Sequence, residues 1–218
     1  MSGGTGRGEA PSSGVWAGLI GALVNAGRGS EAARIRELTG TGAGRRLLDV
    51  GGRTGAFTVR FARPGDTVTV LEPEAEIVGA ASRHRTAIQF VTGRGEEIPF
   101  PPGAFDVVTA VRSTHHMEAP ERFFQEASRV LSAGGRIVIE ELAPSSGLAK
   151  LFSRLMRKRH HHPMDFRGPA DWVRGLSEAG FEEVTTDAGT RWFFVSGRKP
   201  STAGTAASPE PAGPRLPA

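Results

Sequence analysis

The sequence predicts an α/β protein with a doubly wound sheet of seven strands, mostly parallel, with one antiparallel C-terminal strand. Three observations carry this reading. Between residues 15 and 199, short apolar runs alternate with stretches of helical periodicity, and such alternation means parallel strands with helices on both faces. The first run, Leu47-Leu48-Asp49-Val50, breaks into the glycine-rich turn Gly51-Gly52-Arg53-Thr54-Gly55. The last two runs are joined only by Ala188-Gly189-Thr190, a link too short for a crossover, so they form an antiparallel hairpin.

Taken in order, the predicted strands are 46–50, 67–72, 87–92, 105–111, 135–141, 182–187 and 191–197. The predicted helices are 15–26, 30–39, 55–62, 74–82, 120–131, 147–159 and 169–179. Residues 15–199 read as one domain, with cap helices over 15–40 and a lid insertion over 143–168. Residues 1–14 and 200–218 are rich in Gly, Ser, Thr, Ala and Pro and read as disordered tails. The apolar run 15–24 imitates a signal-peptide core, but the segment before it carries Arg7 and Glu9 and lacks a clear positive charge. Trp16, Leu19, Ile20 and Leu23 recur at helical spacing, so a helix lying over the domain accounts for the run better than export does. A cytoplasmic protein is expected.

The chain has 218 residues, enough for one domain with a sizeable core. It contains no cysteine, which excludes a disulfide scaffold, a thiolate zinc site and a cysteine nucleophile. Arginine supplies 24 of the 27 basic residues beside 30 glycines and 15 prolines, so the net charge of +4 reads as composition bias more than as the mark of an anionic partner. A nucleic-acid partner is a minor alternative.

The glycine turn carries the chemistry. A buried strand ending in such a turn brings backbone N–H groups and a helix start close to a ligand. A dinucleotide-binding G-x-G-x-x-G beginning at Gly51 needs glycines at 53 and 56, where the chain has Arg53 and Ala56. It also places a carboxylate, Asp49, inside the strand, where a charge is costly unless it grips something specific such as a ligand ammonium. The second strand ends in Glu72-Pro73, and Glu72 lies 21 residues after Gly51 at the strand tip beside the turn. A carboxylate there can accept hydrogen bonds from both ribose hydroxyls, while the plainer alternative is a solvated strand-end acid.

The segment 49–55 resembles motif I of the class I S-adenosylmethionine-dependent methyltransferases, acidic-x-Gly-x-Gly-x-Gly, with Arg53 in place of the middle glycine. Three later segments agree in order. The first is Glu72-Pro73. The second, Thr92-Gly93-Arg94-Gly95-Glu96-Glu97-Ile98-Pro99-Phe100 running to Phe105-Asp106-Val107-Val108, is similar to the family's Gly-Asp-Ala-x-x-Leu-Pro-Phe…Phe-Asp-Val-Val stretch. The third, Val111-Arg112-Ser113-Thr114-His115-His116-Met117 and then Arg129-Val130-Leu131-Ser132-Ala133-Gly134-Gly135-Arg136, looks like the family's paired-histidine and "RVLxPGGR" segment, Gly134-Gly135 turning helix into strand. The likeness spans about residues 45–198 and points to the small-molecule, ubiquinone/menaquinone-biosynthesis-like branch.

The resemblance implies a Rossmann-like fold, S-adenosyl-L-methionine as cofactor, and cofactor contacts from Asp49, Gly51, Gly52, Arg53, Gly55, Glu72, Pro73, Arg94, Gly95, Glu96, Val111 and Arg112. Where the family has the aspartate that reads the adenine amino group, this chain has Arg94, leaving the Gly95 backbone and Glu96 as substitutes. Space for the cofactor is the expected reason for glycine at 51. The missing cysteine excludes the cytosine-C5 and arsenic branches. The strand ending Val111-Arg112-Ser113-Thr114 excludes the signature of adenine-N6 enzymes.

Methyl transfer needs in-line approach, exclusion of water and, for a weak nucleophile, a base. His115 and His116 follow the fourth strand at the ligand-binding edge; they serve as base or only shape the pocket. Glu140 and Glu141 are weaker candidates. In 145–167, Leu148, Leu151, Phe152, Leu155 and Met156 form an apolar stripe opposite Lys150, Arg154, Arg157, Lys158 and Arg159. That segment reads as a lid with a solvated basic face, a rim drawing in an acidic substrate, or a membrane-surface helix suited to a lipid or quinone. His160-His161-His162 are consecutive and do not converge on one ion, so no metal is expected. The expected function is methyl transfer to a small molecule. The alternatives are a non-catalytic binder on the same fold and a lipid or quinone enzyme at the membrane surface.

Overall fold

The computed structural model describes residues 28–144, 167–189 and 192–201. The predicted tails, the 15–26 helix, the 147–159 lid helix and the run of histidines lie outside the described residues, wholly or nearly so. In chain order the elements are α1 (Gly29–Leu38), β1 (Arg46–Val50), α2 (Thr58–Phe61), β2 (Thr67–Glu72), α3 (Ala75–His84), β3 (Ile88–Thr92), β4 (Phe105–Val111), α4 (Pro120–Val130), β5 (Leu131–Leu142), α5 (Pro169–Glu178), β6 (Glu182–Ala188) and β7 (Trp192–Arg198). A single 3₁₀ turn, Thr114–His116, follows β4.

The seven strands lie in the order β3-β2-β1-β4-β5-β7-β6. β1 pairs in parallel with β2 and β4, β2 with β3, and β4 with β5. β7 slots between β5 and β6 and runs antiparallel to both. It is the one reversed strand the short 188–190 link required. The strand order reverses between β1 and β4, the place where open α/β sheets bind their ligands.

The period-two geometry of each strand sorts its residues between two cores. Leu48, Val50, Val108, Ala110, Ile137 and Ile139 pack with Phe123, Phe124, Trp172 and Leu176 from α4 and α5. Their neighbours Leu47, Val107 and Val138 pack on the other face with Ala32 and Ile35 of α1 and with Phe57 and Phe61 around α2. Continuous apolar runs such as Ile137-Val138-Ile139 are what a strand covered on both faces demands.

Two expectations need correction. The helix predicted over 55–62 is the single turn Thr58–Phe61, because residues 51–57 are spent on the glycine turn. The fifth strand begins at Leu131, not 135: the helix ends at Val130, and Gly134-Gly135 lies inside the extended stretch. There Gly134, at φ 75°, donates its N–H to the Lys199 carbonyl and bends the strand start toward the end of β7. No helix among the described residues is long and apolar enough to cross a membrane.

α5 is held to α4 by aromatic packing. The Trp172 ring stands edge-on to Phe124 with centroids 5.5 Å apart and is 1% exposed. Its indole N–H has no acceptor among the described residues, so shape and apolar area carry its contribution. Trp172→Ala should cost about 3–5 kcal/mol by opening a cavity. Trp172→Phe should cost well under half of that, since no hydrogen bond is lost; urea denaturation of both variants reads the difference.

Candidate functional site

Strands β1, β2, β4 and β5 all end at one edge of the sheet, and each brings an acid or a polar turn there. Asp49, one residue before the end of β1, is 2% exposed and points to the face covered by α2. Its two carboxylate oxygens accept from different hydroxyls, Thr58 Oγ1 at 2.5 Å and Thr109 Oγ1 at 2.8 Å. Thr109 is the direct cross-strand neighbour of Asp49. Burial pushes the Asp49 carboxyl up to about 6, against the pull of the two hydroxyls and the Arg28 charge.

The three glycines of the turn after Asp49 run close to other protein atoms, while Arg53 and Thr54 are exposed. A Cβ on Gly51, at φ 74°, would stand 2.4 Å from Ser113 Cβ. One on Gly52 would meet Asp49 Oδ2 at 2.6 Å, and one on Gly55, at φ 66°, would meet Ile88 Cδ1 at 2.8 Å. Space for a ligand is therefore not what requires glycine at 51; the close approach of Ser113 is. Ser113 Oγ also donates to the Val50 carbonyl at 2.7 Å and ties the two strand ends together. Arg53 adopts φ 52°, the left-handed conformation that a glycine would take more easily. Its side chain is 66% exposed and reaches toward Glu74, while its backbone N–H donates to Glu72 at 3.1 Å. Glu72 is 3% exposed; burial raises its pKa, and the N–H groups of Arg53 and Glu74 work against that rise. Pro73 beside it is exposed.

Further along this edge, Gly95 is buried, and a Cβ there would stand 2.8 Å from Met117 Cε and 3.0 Å from Val50 Cγ1. Glu96 accepts the Glu118 N–H at 3.0 Å, so this oxygen braces the loop after the 3₁₀ turn. Arg94 is exposed and pairs with Glu118 at 3.2 Å. Val111 is half-buried at the end of β4.

Past Val111 the chain enters a network that sequence reasoning missed. Arg112, at φ 53°, donates from Nε to Glu140 Oε1 at 2.9 Å and from Nη2 to Glu31 Oε2 at 3.1 Å. Arg28 Nη2 donates to both Glu140 oxygens, at 2.9 and 3.0 Å, and its Nε pairs with the same Glu31 oxygen. The Arg28 guanidinium lies 3.5 Å over the Phe57 ring and that of Arg112 lies 3.2 Å over Trp192. Glu140 is wholly buried. An acid flanked by Ile139 on a buried strand signals that a cation must come from elsewhere, but no local spacing says which one.

The 3₁₀ turn separates the two histidines. His115 is 5% exposed and its Nδ1 lies 2.9 Å from Glu141 Oε2, while His116 is exposed, its ring tilted against that of His115. Glu141 Oε1 accepts the Thr114 N–H at 2.9 Å and the Thr114 hydroxyl. Burial pushes the Glu141 carboxyl up, but its interaction with His115 and these hydrogen bonds outweigh it and hold the pKa below its ordinary value. Among the described residues no group of three acids and histidines converges on a metal position.

Residues 48–139 match the family model described as a methyltransferase domain. The chain is 33% identical over 119 residues to the ubiquinone/menaquinone biosynthesis C-methyltransferase of Ruegeria sp., covering 50% of this chain and 48% of that protein. It is 28% identical over 152 residues to the ubiquinone biosynthesis O-methyltransferase of Xanthomonas euvesicatoria, covering 64% of each. The chain thus spans under two thirds of the length of these relatives. Among solved structures it resembles the geranyl diphosphate C-methyltransferase of Streptomyces coelicolor, solved with S-adenosyl-L-homocysteine, at a TM-score of 0.66 and 15% identity over 78% of each chain. That likeness shows the fold.

Asp49 sets a pH dependence. Its carboxyl titrates near 6 in the folded protein and near the ordinary value of about 4 when unfolded. The folded state therefore holds the proton more tightly, and this stabilisation is full below about pH 4 and lost as pH rises through 6. Relative to Asp49→Asn, the wild type should lose at most about 3 kcal/mol across that window, read by denaturant titration at stepped pH. A constant difference between the two proteins would remove Asp49 as the titrating group.

Proposed function

We propose that this chain, whose residues 48–139 belong to the methyltransferase domain family, transfers the methyl group of S-adenosyl-L-methionine to a small-molecule acceptor by in-line displacement. The observation that carries this is the union of the glycine turn with Glu72: one backbone N–H, that of Arg53, links the turn after β1 to the carboxylate ending β2. The donor set suits the cofactor. A buried carboxylate at a strand tip accepts the hydroxyls of a ribose, and the Gly51–Gly55 turn brings backbone close to the strand ends.

The residues proposed to hold the cofactor are Asp49, Gly51, Gly52, Arg53, Gly55, Glu72, Pro73, Arg94, Gly95, Glu96, Val111 and Arg112. For Arg53 and Arg94 the contribution comes from the backbone, since both side chains turn to solvent and pair with glutamates. The bound cofactor supplies an electrophilic methyl group on a sulfonium. The chain's own part is to orient the acceptor, exclude water and take up a proton. His115 is the proposed base. Glu141 fixes the His115 ring through Nδ1 and so reserves Nε2 for the proton. His116, exposed at the same turn, has the pocket-shaping role. The quinone-modifying activities named for the relatives support a small-molecule acceptor, and a cytoplasmic location fits such an enzyme.

Two measurements test this reading. Glu72→Ala should weaken binding of S-adenosylhomocysteine by about 1–3 kcal/mol, the range for hydrogen bonds to a charged group. Calorimetry that finds an unchanged dissociation constant in the folded variant would take Glu72 out of the site. His115→Gln should lower transfer of labelled methyl to an acceptor, found in a panel of phenols and hydroquinones, by about a hundredfold or more, with S-adenosylhomocysteine affinity intact. Full turnover in that variant would assign His115 to packing.

A further inference from the structure

We propose that the cavity between α1 and the β6–β7 hairpin is a binding site for an uncharged aromatic ring, with Trp192 as the platform on which that ring stacks. The site is separate from the one proposed for methyl transfer and does not depend on that reading.

A cavity of about 470 Å³ opens there, lined by Ser30, Glu31 and Arg34 of α1 and by Asp187, Trp192 and Phe194 of the hairpin, within the range of small-molecule sites. Trp192 and Phe194 are two residues apart on β7, so both rings stand on the same face of the sheet. Phe194 is half-buried against the core formed with α1 and α2. Trp192 is half-buried too, yet among the described residues it joins neither core. What holds it is Arg112, whose guanidinium lies 3.2 Å from the ring centroid and is itself fixed by Glu140 at 2.9 Å. Arg112 does not line the cavity, so the indole surface that the cavity meets is the part the guanidinium leaves uncovered. A large ring kept out of the core, held from one side and open on another, is a stacking platform.

The charges select what stacks. A cation over one face of an indole draws on its π density, so the remaining surface gains little from a second cation and favours an electron-rich, neutral ring. The lining carboxylates are already engaged: Glu31 accepts from Arg112 at 3.1 Å and Asp187 from Arg34 at 2.8 Å. Arg34 also pairs with Glu37 at 2.7 Å. An ammonium would have to draw one of the lining acids from its guanidinium. A carboxylate would meet two acids and an arginine that Asp187 and Glu37 already hold. A neutral ring disturbs no pair, and the Ser30 hydroxyl can give or take a hydrogen bond with a hydroxyl on its rim.

The sheet keeps this site apart from the proposed base. Glu140 and Glu141 are neighbours on β5 and point to opposite faces. Glu141 meets His115, whereas Glu140 meets Arg112 and stands opposite Phe194 in register. The cavity therefore lies on the face of the sheet away from His115.

The test titrates 4-methoxyphenol into the isotopically labelled full chain while NMR follows the Trp192 indole N–H, identified by its loss in Trp192→Leu. Saturable shifts of that signal are expected. Three analogues of similar size test the selection: 4-hydroxybenzoate is anionic, 4-hydroxybenzylamine is cationic and 4-methoxycyclohexanol is not flat. Each should bind at least about fivefold more weakly. Trp192→Leu should weaken 4-methoxyphenol at least about tenfold, read from the signals of the ligand itself. If that variant fails to fold, the ranking of the four probes in the wild type decides alone. A charged or saturated analogue that binds as tightly as 4-methoxyphenol, a Trp192 signal that does not move, or unchanged affinity in folded Trp192→Leu would overturn the site. Saturating S-adenosylhomocysteine should leave the affinity for 4-methoxyphenol unchanged; expulsion of the probe would assign the cavity to the cofactor and overturn the proposal. Binding that appears only after Leu19→Ser and Leu23→Ser are introduced would assign the cavity to the chain's own apolar run 15–24, again overturning it. Binding of 4-methoxyphenol by a chain that shows no heat with S-adenosylhomocysteine would sink the transfer reading and leave the ring site standing.

Discussion

The site edge is organised by a carboxylate that folding places where charge is expensive. Asp49 sits inside the sheet with both oxygens held by hydroxyls, Thr58 from the helix after the turn and Thr109 from the neighbouring strand. Those two bonds fix the distance between β1, β4 and α2. The Gly52 backbone then passes so close to Asp49 that a Cβ would collide with Oδ2, and Gly51 passes as close to Ser113. A buried polar group is tolerable only when it is hydrogen-bonded, so the turn can adopt one course and little else. The backbone groups from Gly51 to Gly55 take their positions from that course.

The same logic repeats along the edge. Glu72, Glu140 and Glu141 are each under 4% exposed, and each is satisfied differently. Glu72 takes backbone N–H groups, Glu140 takes two guanidiniums, and Glu141 takes a threonine and a histidine. Buried ion pairs add little net stability, because desolvation offsets the attraction. Their value here is positional: each acid locks a loop that faces the strand ends. The opposite edge has one buried acid of its own, Asp66 before β2, paired with Arg45, so it is the gathering of four on one edge that distinguishes this one.

Much of this was legible in the sequence, for reasons that can be named. Parallel strands covered on both faces must be continuously apolar, and Leu47 to Val50, Val107 to Ala110 and Ile137 to Ile139 show it. The three-residue link at 188–190 leaves no topology but a hairpin. Asp49 inside an apolar run also carried a readable signal, whereas the register that sets Thr109 opposite it did not. What could not be read was long-range pairing. Arg28 and Glu140 are 112 residues apart, and no local pattern joins them. The brevity of α2 was hidden too, since the periodicity of 55–62 suits a helix, while Gly55 takes φ 66°, outside the helical region, at a place where a Cβ would meet Ile88 and Phe90 on β3. Separation of the histidines was equally invisible, because a 3₁₀ turn rotates neighbours apart where a strand or longer helix would have given a regular pattern.

Arg53 shows how a departure from the motif this turn resembles is accommodated. A non-glycine residue in the left-handed region costs about 1–2 kcal/mol. Its N–H, held at that angle, meets the buried Glu72 carboxylate, and a hydrogen bond to a charged group contributes about 1.5–3 kcal/mol. The two terms are of similar size, so the strained arginine is sustained by the contact its strain makes possible. Its long side chain leaves the turn for solvent and Glu74, adding bulk only where nothing is crowded. At Gly51, Gly52 and Gly55 no such escape exists, because the direction a side chain would take is filled by Ser113, Asp49 and Ile88. The turn therefore tolerates a side chain at the position that points outward, and the course of its backbone survives the change.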